Sequence, residues 1–189
     1  NRLLKSYSKE GDTICDIFCG SGTALVESRL LKRNAYGIDL NPFAIFLAKA
    51  KTSEIVPQSL QKEYLKLLEF INKTNGRVLP QPSFFNIGFW FKPEVVLKLS
   101  KLKHAISQIK TEKIRNFFFV SFAETVRFSS NTKNSEFKLV RIPRHELNSH
   151  NPEIVGFFKK RAERNIACMV NFYNTVDKKT WTKIIHGNS

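Results

Sequence analysis

Asp16-Ile17-Phe18-Cys19-Gly20-Ser21-Gly22-Thr23 ends an apolar run that begins at Thr13 with two glycines one residue apart and an acid just ahead of them. Glycine lets the backbone take positive φ and lets a neighbour approach where a Cβ would block it. Ala24-Leu25-Val26-Glu27-Ser28-Arg29-Leu30-Leu31 follows with helical spacing, so the turn joins a strand, Thr13–Phe18, to a helix, Thr23–Lys32. In doubly wound α/β folds a nucleotide-like ligand sits at such a strand–turn–helix junction.

Working outward, a second strand is predicted over Asn34–Leu40, which completes a βαβ unit with a right-handed crossover. Asn41-Pro42 reads as N-cap and first helical residue of a helix from about Phe43 to Lys51. After Pro57 the rhythm changes. Helical patterns cover 59–73, a stretch from Pro93, about 112–128, and a long run from Asn151-Pro152-Glu153 to about Val176. Asn75-Gly76 and Pro80-Gln81-Pro82 mark a loop, Phe84 to Phe91 is rich in aromatic residues, and 129–151 is polar and broken. Trp181 to Ser189 reads as a strand entering a loop. The expected division is a βαβα half at 1–57, a helical basic insertion at 58–178 and a returning third strand at 179–189.

Bulk properties narrow the class. With 42% hydrophobic and 25% charged residues the 189-residue chain is globular, its apolar runs are too short to span a bilayer, and its N-terminus lacks a signal-peptide layout. Cys15, Cys19 and Cys168 are odd in number and have no CxxC spacing, which fits unpaired thiols in a reducing cytoplasm. His104, His145, His150 and His186 share no ligand spacing, so no metal is assigned. The net charge of +15 is uneven. Residues 1–57 carry 8 Lys and Arg against 6 Asp and Glu, whereas 58–189 carry 23 against 10. A polyanion, nucleic acid rather than membrane, is the partner such a region implies.

The ligand follows from the residues around the turn. Gly20 and Gly22 bring backbone N–H groups to one end of a nucleoside ligand, and an acid ending the second strand, Asp39, can accept both ribose hydroxyls. A dinucleotide fingerprint would place glycine or alanine where Leu25 stands, and a P-loop would place a lysine after the glycines. Asp16 beside the turn suits an ammonium rather than a phosphate.

Asp16 to Thr23 resembles the DPFxGSGT motif of amino-group DNA methyltransferases, the adenine-N6 and cytosine-N4 enzymes, and Tyr36-Gly37-Ile38-Asp39-Leu40-Asn41-Pro42 is similar to their next strand end. Ile17 replaces the usual proline. The resemblance, strong over about 8–52, implies a Rossmann-like α/β methyltransferase sheet, its parallel strands ordered 3-2-1, and S-adenosyl-L-methionine as cofactor. It implies that Asp16, with Phe18, Cys19, Gly20, Ser21, Gly22 and Thr23, holds the methionine moiety. Asp39 would hold the ribose, and Leu40, Asn41 and Phe43 would lie near the adenine. Asn188 stands where an acid often approaches the adenine. These enzymes also use an Asp/Asn/Ser-Pro-Pro-Tyr/Phe tetrapeptide that accepts hydrogen bonds from the target amine and stacks on the flipped base. That tetrapeptide occurs nowhere in the 189 residues, so the chain reads as a cofactor half without a catalytic residue of its own, inactive alone.

The leading expectation is a site-specific DNA methyltransferase of restriction-modification type acting on double-stranded DNA, with a restriction endonuclease as its functional partner. An RNA amino-group methyltransferase, and a non-catalytic nucleic-acid-binding module with a relic cofactor pocket, stand as alternatives. Lys138, Arg141, Arg144 and His145 in the broken segment, and Lys159 and Lys160 on the long helix, are the candidate nucleic-acid contacts. Phe117 to Phe122 has the spacing of helix core more than of a base-stacking surface. A first strand with one open edge would be covered by a C-terminal half or by a second copy in a homodimer.

Overall fold

In the computed structural model, which describes residues 2–73, 79–133 and 138–188, α1 (Arg2–Tyr7) leads into β1 (Thr13–Asp16), α2 (Thr23–Leu30), β2 (Asn34–Asp39) and α3 (Pro42–Thr52). The expected first strand stops two residues early. The Phe18 N–H turns back to Asp16 Oδ1 at 3.2 Å, an aspartate side chain competing with the strand ladder. The backbone still returns to the sheet edge, because the Cys19 N–H donates to the Ile38 carbonyl at 3.0 Å.

Among the described residues six helices follow: α4 (Pro57–Lys73), α5 (Ile87–Trp90), α6 (Pro93–Ser107), α7 (Glu112–Ser129), α8 (Arg144–Leu147) and α9 (Ile154–Thr175). The chain ends on β3 (Thr182–His186), which lies parallel to β2, as β1 does, in the order β1-β2-β3. This is the Rossmann-like 3-2-1 parallel arrangement read from the sequence. Among the described residues no strand pairs with the other edge of β1. The Asn75-Gly76 turn signal lies outside the described residues.

The chain divides into two compact units, residues 1–59 with 166–189, and residues 60–165. In the first, Cys19, Leu25, Ala35, Ile45 and Ala48 form the buried cluster under the sheet, with Ile184 packed against it. Gly37 is required by this packing, since a Cβ there would lie 2.6 Å from Leu25 Cδ1. Arg29, 3% exposed on α2, is satisfied rather than stranded. Its Nε donates to Thr180 Oγ1 at 2.6 Å, and it pairs with Glu54, which also meets Lys178 at 3.3 Å. A buried charge needs such partners.

In the second unit, apolar residues three and four apart give the longer helices one buried face each. Leu60, Tyr64 and Leu67 of α4, Val95, Leu99, Leu102 and Ile106 of α6, and Ile114, Phe117 and Phe118 of α7 are all buried. Phe117 and Phe118 are therefore core, and Tyr64 stacks on Phe118 with ring centroids 6.0 Å apart. The Tyr64 hydroxyl donates to Glu163 at 2.9 Å. The polar segment after α7 is less irregular than its sequence implies. A bridge pairs Thr132 with Arg141, and α8 forms at Arg144.

Candidate functional site

The carboxyl ends of β1 and β2 carry the candidate site. Both glycines of the turn have positive φ, +50° at Gly20 and +79° at Gly22, but they do different things. Gly22 precedes α2, and a Cβ on it would lie 2.8 Å from Ala48 Cβ, so its smallness lets α3 pack against the turn. A Cβ on Gly20 would meet nothing nearer than the Phe18 carbonyl at 4.0 Å. Gly20 faces open space.

Asp16 ends β1, and Asp39 ends β2 and meets the Gly20 N–H. One oxygen of Asp16 accepts the Phe18 N–H at 3.2 Å. Asp39 is more engaged than its sequence reading foresees. Its Oδ2 accepts the Gly20 N–H and its Oδ1 the Asn41 N–H, each at 2.8 Å. The Asn41 bond first, then that from Gly20, holds its carboxyl below the usual carboxylate range. Each oxygen keeps a second lone pair for a ligand. Burial first, and then the Asp16 and Asp39 charges, push the Cys19 thiol up.

The Asn41 side chain caps α3, accepting the Phe43 N–H at 2.9 Å, with Pro42 at the first helical position. The end of β3 closes on the same region. The Gly187 N–H donates to the Asp39 carbonyl at 3.1 Å, and His186 Nε2 is 2.9 Å from the Leu40 carbonyl oxygen. Phe18, Leu40 and Phe43 are exposed apolar residues around this rim, and Asn188 is exposed just past β3. The fold thus brings Asp16, Gly20, Asp39, Asn41 and the end of β3 to one edge of the sheet. Cys19 and Gly22 pack inward, as core and as helix contact.

Residues 1–50 match the family model of the N6/N4 methyltransferases, described as DNA methylase. Over 182 residues the chain is 35% identical to the type II methyltransferase M.MvaI of Kocuria varians, a match that covers 93% of the chain and 40% of that protein. These matches make the chain similar to amino-group DNA methylases. It is also 41% identical over 72 residues, 38% of the chain and 13% of the relative, to the type II methyltransferase M.MjaII of Methanocaldococcus jannaschii. The chain therefore spans less than half the length of either of these relatives. No solved structure matches it.

One residue of this candidate site escapes a reading by motif. Lys51, in the last turn of α3, donates from Nζ to Ser21 Oγ at 2.9 Å. It is half-buried, and burial pushes its ammonium pKa down. Among the described residues no carboxylate pairs with it. Its position follows from α3 geometry: Ala48 packs on Gly22, and Lys51 is three residues on, on the same face.

The basic candidates separate into two groups. Lys138, Arg144 and His145 are exposed along the segment that enters α8, and Arg141 is half-buried, its guanidinium 4.1 Å from the Phe89 ring centroid. Lys160 is exposed and Lys159 half-buried on α9, and no described hydrogen bond or ion pair joins them to the first group. Among the described residues no cluster of His, Cys, Asp or Glu could hold a metal ion, and no helix is long and apolar enough to cross a membrane.

Proposed function

We propose that this chain is the cofactor-holding part of a site-specific DNA methyltransferase that acts on an exocyclic amine, adenine N6 or cytosine N4, in the cytoplasm. The observation that carries the reading is the pair of carboxylates, Asp16 and Asp39, at the ends of adjacent parallel strands, with Asp39 bonded to a Gly20 that has open space at its α-carbon. S-adenosylmethionine fits that donor set. Asp16 would take the ammonium of its methionine moiety, Lys51 with Ser21 and Thr23 the carboxylate, Asp39 the ribose hydroxyls, and Leu40, Asn41, Phe43 and Asn188 would border the adenine. When bound, it supplies a methyl group activated on a sulfonium.

The chain's own residues bind and orient; they do not handle the amine. The Pro-Pro tetrapeptide that would do so is absent from the 189 residues, which match 40% of the length of the type II relative. On this reading residues 58–178 serve DNA recognition, with Lys138, Arg141, Arg144, His145, Lys159 and Lys160 meeting phosphates of double-stranded DNA. The type II names of both relatives favour a restriction-modification role, with an endonuclease as functional partner.

Calorimetry tests the cofactor assignment. Asp39→Ala removes hydrogen bonds to a charged acceptor, so affinity for S-adenosylhomocysteine falls roughly tenfold or more. Equal affinity in the wild type and the variant would remove Asp39 from the site.

A further inference from the structure

The 84–91 stretch turns aromatic side chains outward. Phe85 is 88% exposed, Phe84 48% and Phe89 43%. Single exposed apolar residues are ordinary; three within six residues on a pinned corner are not. The corner is held by Asn131, itself buried, whose N–H donates to the Trp90 carbonyl at 2.7 Å and whose Nδ2 donates to the Phe89 carbonyl at 3.1 Å. Arg141 Nε donates to the same Phe89 carbonyl at 3.3 Å, and the Ile142 N–H to the Asn131 carbonyl at 2.9 Å. Asn86 sits at φ +60°, a left-handed residue that turns the aromatic run into α5.

The electrostatic setting selects the partner. The Arg141 guanidinium lies 4.1 Å from the Phe89 centroid, and no described carboxylate pairs with it. Lys138, Arg144 and His145 are exposed on the same segment, where Glu146 stands 3.5 Å from His145. A ligand for this surface therefore needs flat apolar faces and negative charge together. Exposed rings stack on bases whatever their sequence, and an arginine fork beside a ring adds a phosphate contact. We infer that Phe85 and the Arg141-backed Phe89 form a stacking surface for an unpaired nucleobase of DNA, with Lys138 and Arg144 on the adjoining phosphates. This rests on DNA as the partner proposed above, and it assigns the aromatic residues a task separate from the cofactor site.

The test uses two labelled oligonucleotides, a plain duplex and the same duplex with one bulged 2-aminopurine, titrated with the chain at several salt concentrations. The wild type prefers the bulged DNA and quenches its fluorophore. Phe85→Ala, at a position too exposed to disturb folding, loses that preference, roughly tenfold in affinity, while the slope of log K against log salt stays unchanged. Arg144→Ala weakens both DNAs alike. Unchanged bulge affinity and quenching in both Phe85→Ala and Phe84→Ala would overturn the stacking surface while leaving DNA binding intact. Failure of the wild type to bind either DNA would instead overturn the DNA reading itself. Binding of polyglutamate that falls in Phe85→Ala, with bulge binding unaffected, would assign the surface to an acidic protein and overturn the proposal.

Discussion

Gly20 and Gly22 look equivalent in the sequence, and exchanging each for alanine separates their roles. At Gly22, with φ +79°, alanine costs about 1–2 kcal/mol for the left-handed backbone. Its Cβ would also stand 2.8 Å from Ala48 Cβ and 3.0 Å from Ala48 Cα, and the second of these is backbone that cannot rotate away. Overpacking of that kind costs roughly 1–3 kcal/mol more. Gly22→Ala therefore loses about 2–5 kcal/mol, a large share of the 5–15 kcal/mol that holds a typical domain folded. At Gly20 the backbone cost is similar, but a new methyl group meets nothing within 4.0 Å, so Gly20→Ala loses about 1–2 kcal/mol and stays folded. That methyl group projects into the space assigned to the ligand. Urea unfolding followed by circular dichroism, paired with calorimetry against S-adenosylhomocysteine, reads both effects. The expected pattern is a much lower midpoint for Gly22→Ala, and a near-native midpoint with lost binding for Gly20→Ala. Equal destabilisation, or undiminished ligand affinity in Gly20→Ala, would refute the division of labour.

Two further outcomes are expected. Lys51→Met weakens S-adenosylhomocysteine about tenfold, the low end for a charged hydrogen bond because the side chain is only half-buried; calorimetry showing no change would leave Lys51 as a tie between α3 and the turn. Arg144→Ala lowers the salt slope of DNA binding by roughly 0.9, the value for one phosphate contact, and an unchanged slope would exclude that contact.

The first half of the molecule was legible because its signals are local. Strand alternation, a glycine turn, and the Asn41-Pro42 cap each act within a few residues, and β1, α2, β2 and α3 all begin within one residue of where expected. The misreadings arise where a side chain competes with the backbone or where distant residues meet. Asp16 ends β1 early by taking the Phe18 N–H, and Asp39 spends one lone pair per oxygen on Gly20 and Asn41 before any ligand arrives. Which glycine is structural depends on Ala48, twenty-six residues after Gly22. Lys51 reaches Ser21 across thirty residues, and Arg141 reaches Phe89 across fifty-two. No window of sequence holds both ends of such contacts. The apolar run at Phe117 and the aromatic run at Phe84 are alike in composition; helical spacing alone marks the first as core.

An amide-resolved nuclear magnetic resonance titration of the chain with S-adenosylhomocysteine tests the central claim most directly. The account predicts saturable shifts that centre on the amides of Phe18, Gly20, Ser21, Asn41 and Phe43, with Gly20 and Asn41 among the largest because their N–H groups already point at Asp39. Shifts confined to residues 60–165, or none at saturating ligand, would contradict it.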